Sequence, residues 1–353
     1  MNPYRSFALS VAGASVIAFG AYYCAFVYQL GAPIPASYDV ANWISLKENT
    51  AQNTAGRRVL LVGDSSGVFG MDSPQLEKEL GRPVVNMTLH GGLPLDWITN
   101  FAERNVRSGD IVIMPLAWPY YFRDFDTPED WMIDQIVAWD RDYFDSMSLL
   151  KKLKYLSAVN PQRLYDNLKI KIKAKKTLKN FPLRKILSPQ EALKQYQEQH
   201  GGSTTQFSYS YLNMNKYGDM LNTCGNVTSA ISSLQVAPDS KVNTKALQLL
   251  KETATNIASL GGTLYIVPSI TVSDSQSQQP HYEQALNSML NQVKASGVNV
   301  LGEAKEFYFP PEAFFDTNFH LNCSYRSART KALANILKPE LKDVAGTNAP
   351  AGL

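Results

Sequence analysis

Cysteine and histidine are scarce in this chain of 353 residues. The three cysteines (Cys24, Cys224, Cys323) exclude a disulfide-rich scaffold and a four-thiolate zinc site. The four histidines (His90, His200, His281, His320) leave few residues for base catalysis. No cluster has metal-ligand spacing and no glycine motif suits a phosphate, so no metal and no cofactor is expected. Net charge is only +3, from 34 basic and 31 acidic residues, which gives no global reason to expect nucleic acid as a partner. Charged residues make up 18% and hydrophobic ones 44%, a balance that supports a full core and excludes wholesale disorder.

What charge there is lies unevenly. Residues 151–185 hold twelve Lys/Arg against one acid, Asp166, so this stretch alone is +11. It reads either as a solvated helical face or as a patch that meets anionic headgroups or an acidic polymer. Leu168, Ile170 and Ile172 between the lysines allow a helix lying on a surface.

Charge is absent altogether from Ser6 to Pro35. About 20 apolar residues cross a bilayer, and residues 7–30 supply them. Tyr22, Tyr23 and Tyr28 lie near the far end, where interfacial aromatics are expected. A cleavable signal has a shorter apolar core, of about 7–15 residues, so an uncleaved anchor is expected. Arg5 and the amino terminus are the nearby positive charges. They put residues 1–6 in the cytoplasm and the main domain outside, as a single-pass protein of the inner (cytoplasmic) membrane. Cys24 falls within the span.

After a polar stretch, 31–56, read as a stalk, short apolar runs alternate with helical segments. Strands are expected at Arg58–Gly63, Pro83–Met87, Asp110–Leu116, Thr263–Val267 and Val298–Leu301. Helices are expected at Ser73–Leu80, Leu93–Val106, Asn243–Leu260, His281–Ser296 and Ser324–Leu341. That alternation predicts an α/β fold: a parallel sheet between two helical layers, flavodoxin-like, over 57–345. It breaks between about 118 and 235, which reads as a helical insertion. Residues 346–353 read as a flexible tail. The aromatic run Met114–Phe125 suits sugar faces or core packing equally.

The first strand ends Gly63-Asp64-Ser65-Ser66-Gly67. Ligands of an open parallel sheet sit beyond the carboxyl ends of its strands. Ser65 is therefore placed as a nucleophile whose own N–H can help hold an oxyanion, or else as part of a polar helix cap. Late in the chain stands Phe315-Asp316-Thr317-Asn318-Phe319-His320, between the last strand and the last helix. A serine nucleophile needs a base, and the base an orienting carboxylate. Asp316 and His320 can supply both. His90 is a second candidate base. His200 and His281 lie in polar surroundings and read as surface residues.

Gly-Asp-Ser after the first strand with a late Asp/His pair resembles the SGNH (GDSL-type) hydrolase superfamily. The resemblance covers about residues 57–109 and 262–341. It implies Ser65 as nucleophile, Asp316 and His320 as the rest of a triad, and Gly91 or Gly92 as an oxyanion donor beside the Ser65 N–H. With the anchor and the stretch Leu212-Asn-Met-Asn-Lys-Tyr-Gly-Asp219, the chain is similar to the membrane-anchored SGNH-like proteins of cell-surface polysaccharide O-acetylation. That branch implies an O-acyltransferase or esterase acting on a polysaccharide, with a multi-pass membrane O-acyltransferase as partner. Two departures stand out. Three residues, not two, separate Asp316 from His320, and no asparagine follows the third strand. They keep open an alternative, a non-catalytic scaffold or glycan-binding subunit of an export complex.

Outside a reducing compartment Cys224 and Cys323 are the two thiols of the main domain. They are expected either as a disulfide tying the insertion to the His320 loop or as two independent small buried residues.

Overall fold

The computed structural model describes residues 3–177, 186–200, 209–228 and 231–346. Of the expected tail, 347–353 lies outside the described residues, as do Lys179, Arg184 and Lys185 of the basic stretch and all of residues 201–208. The chain forms two compact units. One comprises Met1–Tyr38 with Phe125–Ile186, the other Asp39–Asp124 with Leu187–Leu353.

The second unit is α/β. Five parallel strands run in the order β2 (Val84–Asn86), β1 (Val59–Leu61), β3 (Ile111–Met114), β4 (Thr263–Ile266) and, at the far edge, β6 (Asn299–Val300). Each strand is two to four residues of mostly apolar sequence, buried on both faces except at the β6 edge, as a covered parallel sheet requires. Val59, Leu61, Ile111, Ile113 and Tyr265 point to one face, where Leu76, Leu333 and Leu337 meet them from the helices Ser73–Leu80 and Arg326–Gly346. The helices Leu95–Asn105 and Thr244–Ser259 pack on each other, the latter also against β4. The chain leaves β1 for β2 on one side and returns to β3 on the other. The crevice this opens lies at the carboxyl ends of β1 and β3. At the opposite ends, Arg58 and Asp110 form a fully buried ion pair, with Nε to Oδ1 at 3.1 Å. A small parallel pair, β5 (Thr271–Val272) with β7 (Tyr308–Phe309), was not expected from the sequence.

The segment read as a stalk is instead largely helix, Tyr38–Asn53. Val40, Ile44, Lys47 and Ala51 recur at helical spacing and all are buried. The polar residues among them are satisfied by the fold. Lys47 Nζ donates to the carbonyls of Asn86 (2.8 Å) and Gly218 (2.7 Å), and Ser45 donates to the carbonyl of Leu187 (3.1 Å). Burial, partly opposed by the charge of Asp219, holds the Lys47 ammonium at about 7.

The first unit contains the helix Pro3–Gln29, long and apolar enough to cross a membrane. With it go four helices, Asp130–Ala138, Arg141–Ser146, Leu149–Ala158 and Pro161–Thr177. The stretch expected as one insertion is thus divided: 125–186 belongs with the apolar helix and the described residues after 186 belong with the sheet.

Candidate functional site

Ser65 begins a short helix, Ser65–Gly70, directly after β1. Asp64 caps that helix. Its Oδ1 accepts from Ser66 N–H at 2.8 Å and its Oδ2 from Ala117 N–H at 2.5 Å, which ties the Ser65 turn to the loop after β3. Burial pushes the Asp64 carboxyl up, against these bonds and the charge of Arg329. As the first helical residue, Ser65 has an N–H with no intrahelical acceptor. The last helix grips the other end of the turn. Arg329 donates to the carbonyl of Ser66, and Arg326 Nε to that of Phe69 at 2.6 Å.

His320 and Asp316 come from the loop between β7 and the last helix. Phe315 N–H donates to the His320 carbonyl at 2.8 Å and Phe314 pairs with Leu321, so the chain turns back on itself between the two residues. This turn reconciles the longer Asp316-to-His320 spacing with contact between their side chains. His320 Nδ1 lies 2.7 Å from Asp316 Oδ1, and His320 Nε2 lies 2.8 Å from Ser65 Oγ. The three residues therefore form one hydrogen-bonded run at the carboxyl edge of the sheet. Burial pushes the Asp316 carboxyl up, but the hydrogen bond and charge of His320, with the bond from Tyr209, outweigh it and leave it below its ordinary value.

Two side chains that sequence reasoning missed hold this run in place. Phe69 stacks on the His320 ring, with centroids 4.1 Å apart and planes at 14°. Tyr209 donates its hydroxyl to Asp316 Oδ2 and sits 3.5 Å from His320 Nδ1. Burial, with the bond and charge of Asp316, pushes the Tyr209 phenol well up. Its backbone is left-handed, φ 53°, and its carbonyl accepts from Trp43 Nε1 at 3.1 Å. No motif marks Tyr209, because it reaches Asp316 from 107 residues away.

The two glycines expected as oxyanion donors differ. Gly92 N–H donates to His90 Nδ1 at 3.0 Å and is engaged there. Gly91 lies against Ser65, and a Cβ added to it would stand 3.1 Å from Ser65 Oγ. His90 thus serves as an acceptor in the glycine loop. Burial, then the charge of His320, holds its imidazole below the ordinary value. Tyr120, from the short helix Pro119–Phe122 after β3, where an asparagine was absent, donates to the carbonyls of Gly91 and Leu93, both at 2.8 Å. Trp118, Tyr120 and Tyr121 are buried, so these rings of the aromatic run pack in the core and offer no platform to a sugar.

The stretch Leu212–Asp219 supports the turn from below. Asp219 accepts from Ser73 Oγ at 2.6 Å and from Asn86 Nδ2 at 2.7 Å, and Asn86 Nδ2 also reaches the carbonyl of Gly67 at 2.9 Å. Gly218, at φ 98°, passes so close to β2 that a Cβ would fall 2.4 Å from the Asn86 carbonyl oxygen. Cys224 and Cys323 are joined as a disulfide with Cα atoms 4.8 Å apart, three residues after His320. His281 is exposed, at the start of the helix Pro280–Ala295. Among the described residues no group of three His, Cys, Asp or Glu is placed to hold a metal ion.

No protein-family model matches the chain, and no curated protein matches it.

Proposed function

We propose that the chain is a membrane-anchored, extracytoplasmic serine O-acyltransferase or acylesterase of SGNH type, acting on a cell-surface or secreted polysaccharide. One observation supports this above the rest: the hydrogen-bonded run Ser65–His320–Asp316, at 2.8 and 2.7 Å, at the sheet edge where ligands bind. The polysaccharide and the multi-pass acyltransferase that would supply acyl groups come from the SGNH resemblance and the apolar helix.

In this mechanism neutral His320 takes the proton of Ser65 as Oγ attacks the acyl carbonyl. Asp316 orients the ring through Nδ1 and offsets the charge it gains. The oxyanion is held by the N–H groups of Ser65 and Gly91. The leaving group takes the proton from Nε2 and departs, leaving an acyl-serine. A sugar hydroxyl, or water, then gives its proton to His320 and attacks the acyl carbonyl; the bond to Ser65 Oγ breaks, and Oγ takes that proton back from Nε2.

The test is incubation with p-nitrophenyl acetate. Acetyl-Ser65 found by mass spectrometry in the wild type and absent from Ser65→Ala is expected. No adduct and no turnover in folded wild type would sink the enzyme. Retained binding to a glycan in that case would favour the scaffold, which the missing asparagine after β3 already favours.

A further inference from the structure

We propose that the helical unit around the end of the apolar helix is a membrane-surface module. It seats Leu149 and Leu150 in the acyl boundary and its lysines among anionic lipid headgroups. This rests on the membrane-anchor part of the reading above and is independent of the chemistry at Ser65.

The apolar helix Pro3–Gln29 is about 40 Å long, against about 30 Å of hydrocarbon. One face of its last two turns is covered by protein. Tyr22 donates to the carbonyl of Leu156 at 2.9 Å, Phe26 packs on Phe144 with ring centroids 5.1 Å apart, and Gln29 Oε1 accepts from Asn167 at 2.9 Å. Tyr22 lies seven residues before Gln29, about 10 Å down the axis. The helix Leu149–Ala158 therefore reaches the depth where the apolar span passes into headgroups.

At that depth its side chains are those a bilayer surface takes. Leu149 and Leu150 are 73% and 75% exposed, adjacent, and followed by Lys152 and Lys154. Two such leucines in open water are an unfavourable use of apolar surface. Nearly two turns higher, Lys171 and Lys175 stand 5.2 and 4.8 Å from the Tyr28 ring, and Lys171 donates to the Leu30 carbonyl. This places ammonium groups beside the end of the span, where lipid phosphates lie. Tyr165, Lys169, Ile172 and Lys176 continue as an exposed stripe at helical spacing along Pro161–Thr177. Aromatic, apolar and cationic residues alternating on one stripe suit an interface better than water or hydrocarbon alone.

The experiment uses the full chain, with Cys24→Ser and the disulfide intact, in vesicles of phosphatidylcholine with or without phosphatidylglycerol. Nitroxide labels are placed singly at Val16→Cys, Leu150→Cys and, as a water-facing control, Lys245→Cys. Collisions with oxygen and with a nickel chelate are compared by power saturation. The label at 150 is expected to favour oxygen over nickel, as the label at 16 does and the one at 245 does not. Phosphatidylglycerol should deepen it, and the variant Lys169→Gln/Lys173→Gln/Lys176→Gln should abolish that difference. A label at 150 as accessible to nickel as the one at 245, with 16 still in lipid, overturns the proposal and leaves the anchor standing. A label at 16 in water overturns the anchor itself. Shielding of 150 from both quenchers points to a protein cover, and response to added acidic polysaccharide rather than to lipid points to a polymer. Either overturns the proposal.

Discussion

Asp316 is held from two sides: His320 Nδ1 meets its Oδ1 at 2.7 Å, and the Tyr209 hydroxyl donates to its Oδ2. A carboxylate with both oxygens engaged cannot swing away from the imidazole it orients. Tyr209→Phe removes one anchor and keeps the ring that packs on Phe69. A hydrogen bond to a charged group is worth about 1.5–3 kcal/mol, so kcat for an activated ester should fall by roughly tenfold or more with KM unchanged. An unaltered kcat would show that Asp316 needs no second partner.

Gly91→Ala tests the proposed oxyanion loop. The added methyl would stand 3.1 Å from Ser65 Oγ, so the Ser65 side chain or the loop must shift. Acylation of Ser65 should drop by at least about tenfold while the unfolding midpoint stays near that of the wild type. Full acylation would remove Gly91 from the site.

The Cys224–Cys323 bond closes a loop across a sequence separation of 99. In the chain-entropy model such a crosslink stabilises by about 4–5 kcal/mol. Cys224→Ser/Cys323→Ser should lower the denaturant midpoint correspondingly. Two alkylatable thiols in unreduced wild type, besides Cys24, would contradict the bond.

His90 should make stability pH-dependent. Burial and the charge of His320 keep its imidazole below the ordinary value, and its neutral Nδ1 accepts from Gly92. The folded state then binds fewer protons than the unfolded chain. The contribution is present in full above the unfolded value of about 6.5 and is lost as pH falls from there through the folded value. His90→Gln should unfold with a flatter pH dependence between about pH 7 and about pH 5. Identical slopes for the two proteins would contradict the assignment.

Local pattern in the sequence was enough for the five strands of the sheet, the helices flanking them and the apolar N-terminal helix. Short apolar runs ending in glycine or proline and helical periodicity are properties of neighbouring residues. The same holds for Ser65 at the end of β1 and for Asp316 and His320 on one late loop. What no local pattern carried were groups whose partners are distant in the chain. The helix Tyr38–Asn53 looked like a stalk because its buried face includes Ser45 and Lys47. Their partners are the carbonyls of Leu187, Asn86 and Gly218, which only the folded chain brings within reach. The strands β5 and β7, two residues each, have no periodicity to read. Tyr209 and Phe69 act through a carboxylate and a ring supplied by the far end of the chain, so neither carries a signature of its own. Gly91 and Gly92 were indistinguishable as adjacent glycines. Tertiary structure separated them, because His90 takes the N–H of one while the other lies against Ser65. Backbone conformation is written locally, whereas the pairing of buried polar groups depends on which distant segments the core brings together.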